Sequence, residues 1–212
     1  MRVEILVFGG FDELDATFPF EVLKRAASGD ASVEVKLVTL DGAEEVAAVH
    51  GLRDRSDGKL GEGRDGTPDM LVVPGRGWAA RAPWGVQAEV ERGELLTAIA
   101  RLHEGGVMVA SVCTGAMLLA AAGLTRGRPA TTNHVALEAL GDTGAEVVEA
   151  RVVGYGSLAT SGGVTSGLDL ALWLVERYFG VQAASAMESA LEHERRGVVW
   201  RRREEIKEEV RS

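Results

Sequence analysis

Short apolar runs alternate along the chain with longer segments of helical spacing, and this alternation limits the possible folds. Uninterrupted apolar runs predict buried strands at Val3–Phe8, Met70–Val73 and Val107–Val112. Strands that alternate with helices predict a mostly parallel sheet covered on both faces, which is a three-layer α/β sandwich. Such sheets carry their reactive groups beyond the carboxyl ends of the strands. The residues that follow each strand are therefore the candidates for function.

The remaining predicted elements continue this alternation. Alternating or apolar patterns predict further strands at Val33–Leu40, Val147–Val153 and Ser157–Thr160. Helical spacing predicts helices over Leu14–Ala27, Glu89–Glu104, Gly115–Ala122, Val135–Leu140, Leu168–Tyr178 and Val181–Leu191. Residues 41–67 are polar and rich in glycine, which predicts a short hairpin and a loop. Residues 76–87 predict an irregular loop that carries Trp78 and Trp84.

Length and charge predict one globular domain, residues 1–192, followed by a charged helical tail, residues 193–212. The chain has 212 residues, and 46% of them are hydrophobic. Its formal charge of −9 disfavours a nucleic-acid partner, because such proteins usually carry a basic surface. The tail has Arg/Glu pairs at helical spacing. It is either a solvated helix or a helix that packs on a partner subunit through Val198, Val199 and Trp200.

Neither the N-terminus nor the longest uncharged stretch predicts contact with a membrane. Glu4 interrupts the first apolar run, unlike the apolar core of a secretory signal. Residues 107–125 carry no charge, but they contain Ser111, Thr114 and Gly123 and begin with strand-forming residues. This stretch predicts a strand, a tight turn and a buried helix rather than a membrane span. We therefore expect a cytoplasmic protein without a membrane partner.

The single cysteine, Cys113, lies between a predicted strand and a predicted helix. The run Ser111-Val112-Cys113-Thr114-Gly115 has small residues two positions before and after the thiol, as a nucleophile elbow requires. The start of a helix is expected to lower the thiol pKa, and the N–H of Thr114 would point toward an anion on the substrate. The alternative is a buried cysteine that serves as a small apolar residue.

A nucleophilic thiol needs a group that accepts its proton. Of the four histidines, His134 is the plausible partner by position, since it follows a polar stretch after the predicted elbow. The first predicted strand is followed by two candidate carboxylates, Glu13 and Asp15. Asp15 would also suit a helix N-cap. Spacing alone does not choose between these alternatives.

Four stretches together resemble the ThiJ/PfpI family of the class I glutamine amidotransferase-like superfamily. The resemblance covers residues 3 to about 191, and its pattern is most similar to the isonitrile hydratase branch, which also includes sensor-like domains fused to AraC-type regulators. It implies a flavodoxin-like fold and a homodimer. The matching stretches are FDELDATFPFEVL (Phe11–Leu23), LVVPG (Leu71–Gly75), ASVCTGAMLLAAAGLTRGRPATTNH (Ala110–His134) and TSGGVTSGLDLALWLVERYFG (Thr160–Gly180).

The resemblance implies roles for individual positions. Cys113 falls on the nucleophile and Asp15 on the carboxylate that hydrogen-bonds it. Thr114 matches the threonine that follows the nucleophile in the hydratase, and Gly75 matches a glycine whose N–H helps to form the oxyanion site. This chain departs from the family patterns at three positions. Arg76 replaces a glycine of the hydratase pattern, and at this place among the substrate-binding candidates Gly75, Arg76 and His134 it would crowd or charge the pocket. Asn133 replaces a histidine before His134, and Thr114 stands where PfpI-type proteases carry histidine.

The resemblance implies a cysteine-dependent hydratase or hydrolase of a small molecule. In the hydratase reaction the thiolate adds to an isonitrile, a carboxylate moves the proton, and water gives an N-substituted formamide. The alternatives are a ligand or oxidative-stress sensor with little catalysis and, further off, a small-carbonyl deglycase or a peptidase or amidase. The sequence contains no dinucleotide fingerprint, phosphate loop or cysteine-based metal cluster, so we expect neither cofactor nor metal.

Overall fold

A computed structural model describes residues 1–28, 30, 32–62, 67–79 and 82–202 of the chain. The strands in chain order are β1 (Arg2–Leu6), β2 (Glu34–Val38), β3 (Glu45–Ala47), β4 (Arg53–Arg55), β5 (Met70–Val73), β6 (Met108–Ser111), β7 (Pro129–Ala130), β8 (Glu146–Val147), β9 (Val152–Tyr155), β10 (Leu158–Ser161) and β11 (Trp200–Arg201). The helices are α1 (Glu13–Ala26), α2 (Val86–Arg92), α3 (Glu94–Glu104), α4 (Gly115–Ala121), α5 (Leu137–Asp142), α6 (Ser166–Phe179) and α7 (Val181–Leu191), with a 3₁₀ turn at His134–Ala136.

The central sheet has the strand order β11-β9-β10-β6-β5-β1-β2 within the described residues. The strands from β2 to β10 in this order are parallel, whereas β9 runs antiparallel to β10. The register pairs Val73 of β5 and Thr160 of β10 with Ser111 of β6. The carboxyl ends of three neighbouring strands therefore meet just before Cys113.

Helices cover both faces of this sheet. Helices α1, α6 and α7 pack against one another, and helices α2, α3 and α4 form a second group. The strands between them are almost wholly buried: every residue of β5, β6 and β10 is buried. Strands buried on both faces read as continuous apolar runs, because each side chain meets a helix on its own side. The predicted three-layer α/β sandwich with a mostly parallel sheet is confirmed.

Most predicted elements are confirmed within a few residues. The strand predicted over Val147–Val153 is instead two short strands, β8 and β9, that lie in different sheets. The helix predicted over Glu89–Glu104 is two helices. Gly93 ends α2 and begins α3 with a φ of +80°. Glycine adopts this left-handed conformation without a steric penalty, so the chain turns here although the helical spacing continues on both sides. The predicted hairpin after β2 is confirmed, since β3 and β4 pair in antiparallel orientation.

The helix predicted for the tail is wrong over residues 193–202, and residues 203–212 lie outside the described part of the chain. Trp200 and Arg201 form β11 and pair with Val153 and Gly154 of β9. The segment before β11 is held by the buried carboxylate of Asp169, which accepts hydrogen bonds from three donors. They are Arg151 Nε at 2.6 Å, His193 Nε2 at 3.2 Å and the backbone N of Arg196 at 3.2 Å.

Residues 107–125, the longest uncharged stretch, fold as predicted into a strand, a turn and a helix. Strand β6 crosses the middle of the sheet, and α4 returns along one face. In the part of the chain that the structure describes, no helix is long and apolar enough to cross a membrane.

Candidate active site

Cys113 occupies a sharp turn between β6 and α4, as the sequence predicts. Its φ of +57° lies in the left-handed region, which costs a residue other than glycine about 1–3 kcal/mol. Hydrogen bonds on both sides of the residue hold this conformation. The backbone N of Cys113 donates to the carbonyl O of Gly162 at 2.8 Å, and Thr132 Oγ1 donates to the carbonyl O of Cys113 at 2.9 Å.

The small residues around the elbow are required because two backbone segments touch there. A Cβ atom added at Gly115 would lie 2.3 Å from the carbonyl O of Val73. A Cβ atom added at Gly75 would lie 2.5 Å from the backbone N of Thr114. Both distances are far inside van der Waals contact with backbone that cannot move aside. The loop after β5 is thereby pressed against the first turn of α4.

The structure distinguishes between the candidate carboxylates from the first helix. Asp12 is the N-cap of α1, since its side chain accepts from the backbone N of Leu14 at 3.2 Å. Glu13 accepts hydrogen bonds from His50, both from its backbone N and from Nδ1, each at 2.7 Å. Asp15 is fully buried and accepts from the backbone N of Gly75 at 2.9 Å. The interpretation of Asp15 as a helix cap is therefore wrong.

The environment of Asp15 favours its protonated form. Burial raises the pKa of this carboxyl to about 7, and the neighbouring negative charge of Asp12 acts in the same direction. The Cys113 thiol is close enough to lower the pKa of Asp15, yet no described group lies in hydrogen-bond geometry with Asp15 Oδ1. A buried carboxyl oxygen without a donor is stabilised when it carries a proton, so the protonated form of Asp15 is favoured beside the sulfur.

The prediction of a lowered thiol pKa is wrong. Burial raises the pKa of Cys113 to about 12, and the negative charge of Asp15 adds to this effect. Hydrogen bonds from the backbone N–H of Thr114 and from Asn133 oppose it but are weaker. The start of a short helix lowers the thiol pKa by less than desolvation and the buried Asp15 carboxylate raise it. Within this pair Asp15 ionises first, and the thiol retains its proton to a much higher pH.

Asn133 is the functional candidate that sequence reasoning missed. Its Nδ2 donates to Cys113 Sγ at 3.3 Å, and its Oδ1 caps the 3₁₀ turn by accepting from Val135 N at 3.2 Å. The available signal was its alignment with a family histidine. His134 is exposed and lines the same cleft, but the hydrogen bond to the sulfur comes from Asn133. The other histidines pair elsewhere, with Glu13, Arg128 and Asp169.

The backbone N–H of Gly75, which was expected to help form an oxyanion site, already has a partner within the protein. The N–H of Gly75 is donated to Asp15, so its role here is to hold the carboxyl in place. The N–H of Arg76 is donated to Thr114 Oγ1 at 2.7 Å. The donors that act on the sulfur are instead the N–H of Thr114 and the side-chain amide of Asn133. These two groups are placed to stabilise negative charge that develops on the thiol.

A cleft of about 380 Å³ leads to the sulfur. Trp78 and Trp84 form part of its wall, and the ring of Trp84 packs so closely on Gly10 that an added Cβ would lie 2.3 Å from it. The other lining residues are Arg76, Gly77, Ala79, Cys113, Thr114, Asn133, His134 and Val135. Among the described residues no group of three His, Cys, Asp or Glu side chains is placed to hold a metal ion.

A cysteine at a strand-to-helix elbow, with a buried carboxyl from the first helix beside it, defines a class of α/β proteins rather than a single activity. The DJ-1/PfpI family profile matches residues 1–177, and the chain belongs to that family.

Relatives within the family differ in their named activities. The chain is 34% identical to an isonitrile hydratase from Pseudomonas putida over 91% of this chain and 78% of that protein. It is 29% identical to a deglycase from Thermococcus kodakarensis over 76% of this chain and 89% of that protein. A solved ThiJ/PfpI family protein from Pseudomonas syringae superposes with a TM-score of 0.79 at 26% identity, covering 92% of this chain and 76% of that chain.

We expect Asn133→Asp to make Cys113 less reactive. The substitution keeps an oxygen that can cap the 3₁₀ turn, but it replaces the donor to Sγ with a carboxylate. A second negative charge beside the sulfur raises the thiol pKa further, so alkylation by iodoacetamide at pH 8 should slow by about tenfold or more. Asn133→Ser, which keeps a cap without adding charge, is the control and should slow alkylation much less. Equal rates in Asn133→Asp and the unmodified protein would contradict a hydrogen bond from Asn133 to the sulfur.

Proposed function

We propose that this chain is an isonitrile hydratase-like enzyme that converts a small isonitrile into an N-substituted formamide through Cys113. The observation that carries the proposal is the buried pair of Asp15 and Cys113, in which a carboxyl with a pKa of about 7 lies beside the only thiol. Thiol addition to an isonitrile needs a group that takes a proton from sulfur and returns it to carbon. The similarity to the Pseudomonas putida isonitrile hydratase supports the same choice.

In the first half of the reaction the sulfur adds to the terminal carbon of the isonitrile. As the S–C bond forms, Asp15 takes the thiol proton, and Thr114 N–H and Asn133 stabilise the charge on sulfur. Asp15 then gives this proton to the former isonitrile carbon, whose electron pair becomes the new C–H bond. The product is a thioimidate in which the carbon is joined to nitrogen by a double bond and to Cys113 Sγ by a single bond.

In the second half one water molecule completes the hydration. Asp15, ionised again, takes one proton from water as the water oxygen adds to the thioimidate carbon, and it passes this proton to the nitrogen. The C–S bond of the tetrahedral adduct then breaks and its electrons return to sulfur. As the C=O bond forms, Asp15 moves the remaining hydroxyl proton of the adduct to the sulfur. The carbon leaves as the formyl group of an N-substituted formamide. In the overall reaction, one isonitrile and one water give one N-substituted formamide.

The direct experiment is incubation of the purified chain with a simple alkyl isonitrile and measurement of the formamide by mass spectrometry. Turnover well above the rate with heat-denatured protein supports the proposal. Formation of a stable adduct on Cys113 without release of formamide would argue against a hydratase, because it would mean that water does not complete the reaction.

The pH dependence follows from the ionisation of Asp15. Below pH 7 both groups of the pair carry protons, and Asp15 has no place for the thiol proton. Above pH 7 Asp15 is ionised while the thiol, with a pKa of about 12, still holds the proton to be moved. We therefore expect kcat/KM to rise by about tenfold per pH unit up to pH 7 and then to level off. A rate that instead declines steadily as pH rises through 7 would contradict Asp15 as the base.

The alternatives make different use of the same thiol. An oxidant sensor needs a thiolate at neutral pH, and burial together with the charge of Asp15 opposes this. A deglycase, as in the Thermococcus kodakarensis relative, would act on a carbonyl adduct, and here Asn133 stands at the family's histidine position. Parallel assays with an isonitrile and with a glyoxal-derived adduct would separate the two activities.

We also propose that the chain acts on its small-molecule substrate as a homodimer in the cytoplasm. The family resemblance supports the dimer, and Leu14 and Leu52 are exposed apolar side chains close to the contact between Glu13 and His50. A single cysteine is compatible with a reducing compartment. Light scattering of the purified chain would test the homodimer, and fractionation of cells that express it would test the cytoplasmic location.

A further inference from the structure

Arg76 has a backbone conformation that is costly for any residue other than glycine. Its φ is +117°, and such strain costs about 1–3 kcal/mol. Hydrogen bonds fix the residue on both sides: its backbone N donates to Thr114 Oγ1 at 2.7 Å, and its carbonyl O accepts from the N of Val86 at 2.7 Å. A glycine would satisfy the same two bonds without strain. The presence of a long charged side chain here therefore calls for a function of that side chain.

The guanidinium of Arg76 is only loosely paired. Its Nη1 lies 3.6 Å from Asp12 Oδ2, which is beyond hydrogen-bond distance, and the Arg76 side chain is 46% exposed. The Asp12 carboxylate also caps α1 through Leu14. Because the planar guanidinium carries five donors, an ion pair of this length leaves room for a second acceptor.

Arg76 supplies the fixed positive charge among the residues that line the cleft leading to Cys113, and the Asp12 carboxylate beside it lies outside this lining. No described residue lining this cleft is acidic, and the only other lining residue that can become positively charged is the exposed His134. The remaining wall is largely apolar, with Trp78, Trp84 and Val135. The cleft thus combines a fixed positive charge with aromatic and aliphatic surface beside the thiol.

We propose that Arg76 is a specificity-determining residue that selects substrates with a carboxylate or another anionic group attached to an apolar body. The guanidinium would bind the anion while the tryptophan side chains contact the body, which directs the electrophilic carbon toward Cys113. The identity of the electrophile rests on the proposed function. The preference for an anion follows from the charge and lining of the cleft and is independent of that function.

Alkylation of the only cysteine tests this preference without any enzymatic turnover. Iodoacetate and iodoacetamide differ in charge but react with the same thiolate, so the ratio of their rates at one pH is independent of the thiolate fraction. We expect this ratio to fall by about threefold to tenfold in Arg76→Gln and Arg76→Gly relative to the unmodified chain. Arg76→Lys should keep most of the ratio, and the difference should shrink at high salt because ions screen an exposed charge.

Arg25→Ala is the matched control, since Arg25 is an exposed arginine that pairs with Glu21 near the other end of α1. It should leave the ratio unchanged. Thermal unfolding of Arg76→Gly checks the fold, and this variant should be at least as stable as the parent because the strained φ is relieved. The proposal is overturned if the ratio is the same with and without the Arg76 charge, or if Arg25→Ala lowers it equally.

Hydration assays with an isonitrile carboxylate and its methyl ester keep this inference separable from the proposed function. If neither compound is hydrated but the alkylation ratio depends on Arg76, the hydratase proposal fails and the anion preference stands. If both compounds are hydrated at equal rates and the alkylation ratio does not depend on Arg76, the hydratase proposal stands and the anion preference fails.

Discussion

Cys113→Ala is expected to reduce isonitrile hydration by about a thousandfold or more. Removal of a nucleophile that forms a covalent intermediate leaves only binding and electrostatic effects, which supply a small part of the acceleration. Cys113→Ser should be nearly as inactive, because the hydroxyl is a much weaker nucleophile than the thiol. Initial rates of formamide production at saturating isonitrile measure both variants.

The matched control for this loss is Thr125→Val. Thr125 is buried, and its hydroxyl has no hydrogen-bond partner among the described residues, so an isosteric valine changes packing little. This variant should keep full hydration and show that buried substitutions do not inactivate the chain in general. Hydration that persists in correctly folded Cys113→Ala would remove the sulfur from the mechanism.

Asp15→Asn is expected to lower hydration by about 10²–10⁴-fold, the usual effect of a lost acid or base. Asparagine keeps an oxygen that can accept from Gly75 N, but it cannot carry the proton from sulfur to carbon. The same change removes the negative charge that helps to raise the thiol pKa. Alkylation of Cys113 by iodoacetamide at pH 8 should therefore become faster while hydration becomes slower.

This opposite response separates a catalytic role from a structural one. A distorted elbow would slow both reactions together, and that outcome would reduce Asp15 to a structural residue. Glu13→Gln is the control, because Glu13 is the neighbouring carboxylate that pairs with the exposed His50. It should leave hydration and alkylation close to the unmodified values.

Asp15→Asn should also stabilise the fold above pH 7. The pKa of Asp15 is raised in the folded state, so the folded chain holds a proton that the unfolded chain releases as pH rises above about 4. The free energy of unfolding therefore decreases between pH 4 and pH 7 by up to about 4 kcal/mol, and this loss is absent in the variant. Denaturant unfolding at pH 5 and pH 8 should show that the gain in stability is much larger at the higher pH.

The local patterns gave wrong predictions at three places, two of which were decided by contacts from distant segments and one by the backbone conformation of a glycine. The tail has Arg/Glu pairs at helical spacing, yet Asp169 of α6 binds His193 and Arg196, and the segment before β11 is not helical. The thiol at a helix start was expected to be acidic, but burial and Asp15 raise its pKa instead. The helix that the pattern extends through Gly93 is broken because the backbone there adopts a positive φ.

Short-range physics is sufficient to predict the layered α/β architecture and the elbow at Cys113 from the order of residues alone. Side-chain periodicity selects strand or helix, and only residues as small as Gly115 allow the backbone contact that the turn requires. The folded arrangement was needed to show that Asp15 rather than Glu13 lies beside the thiol, and that Asn133 donates to the sulfur. It also assigned the N–H of Gly75 to Asp15. Hydrogen bonds and pKa values depend on which atoms share a water-excluded space, and residues far apart in the chain are brought into that space only by packing of the complete fold.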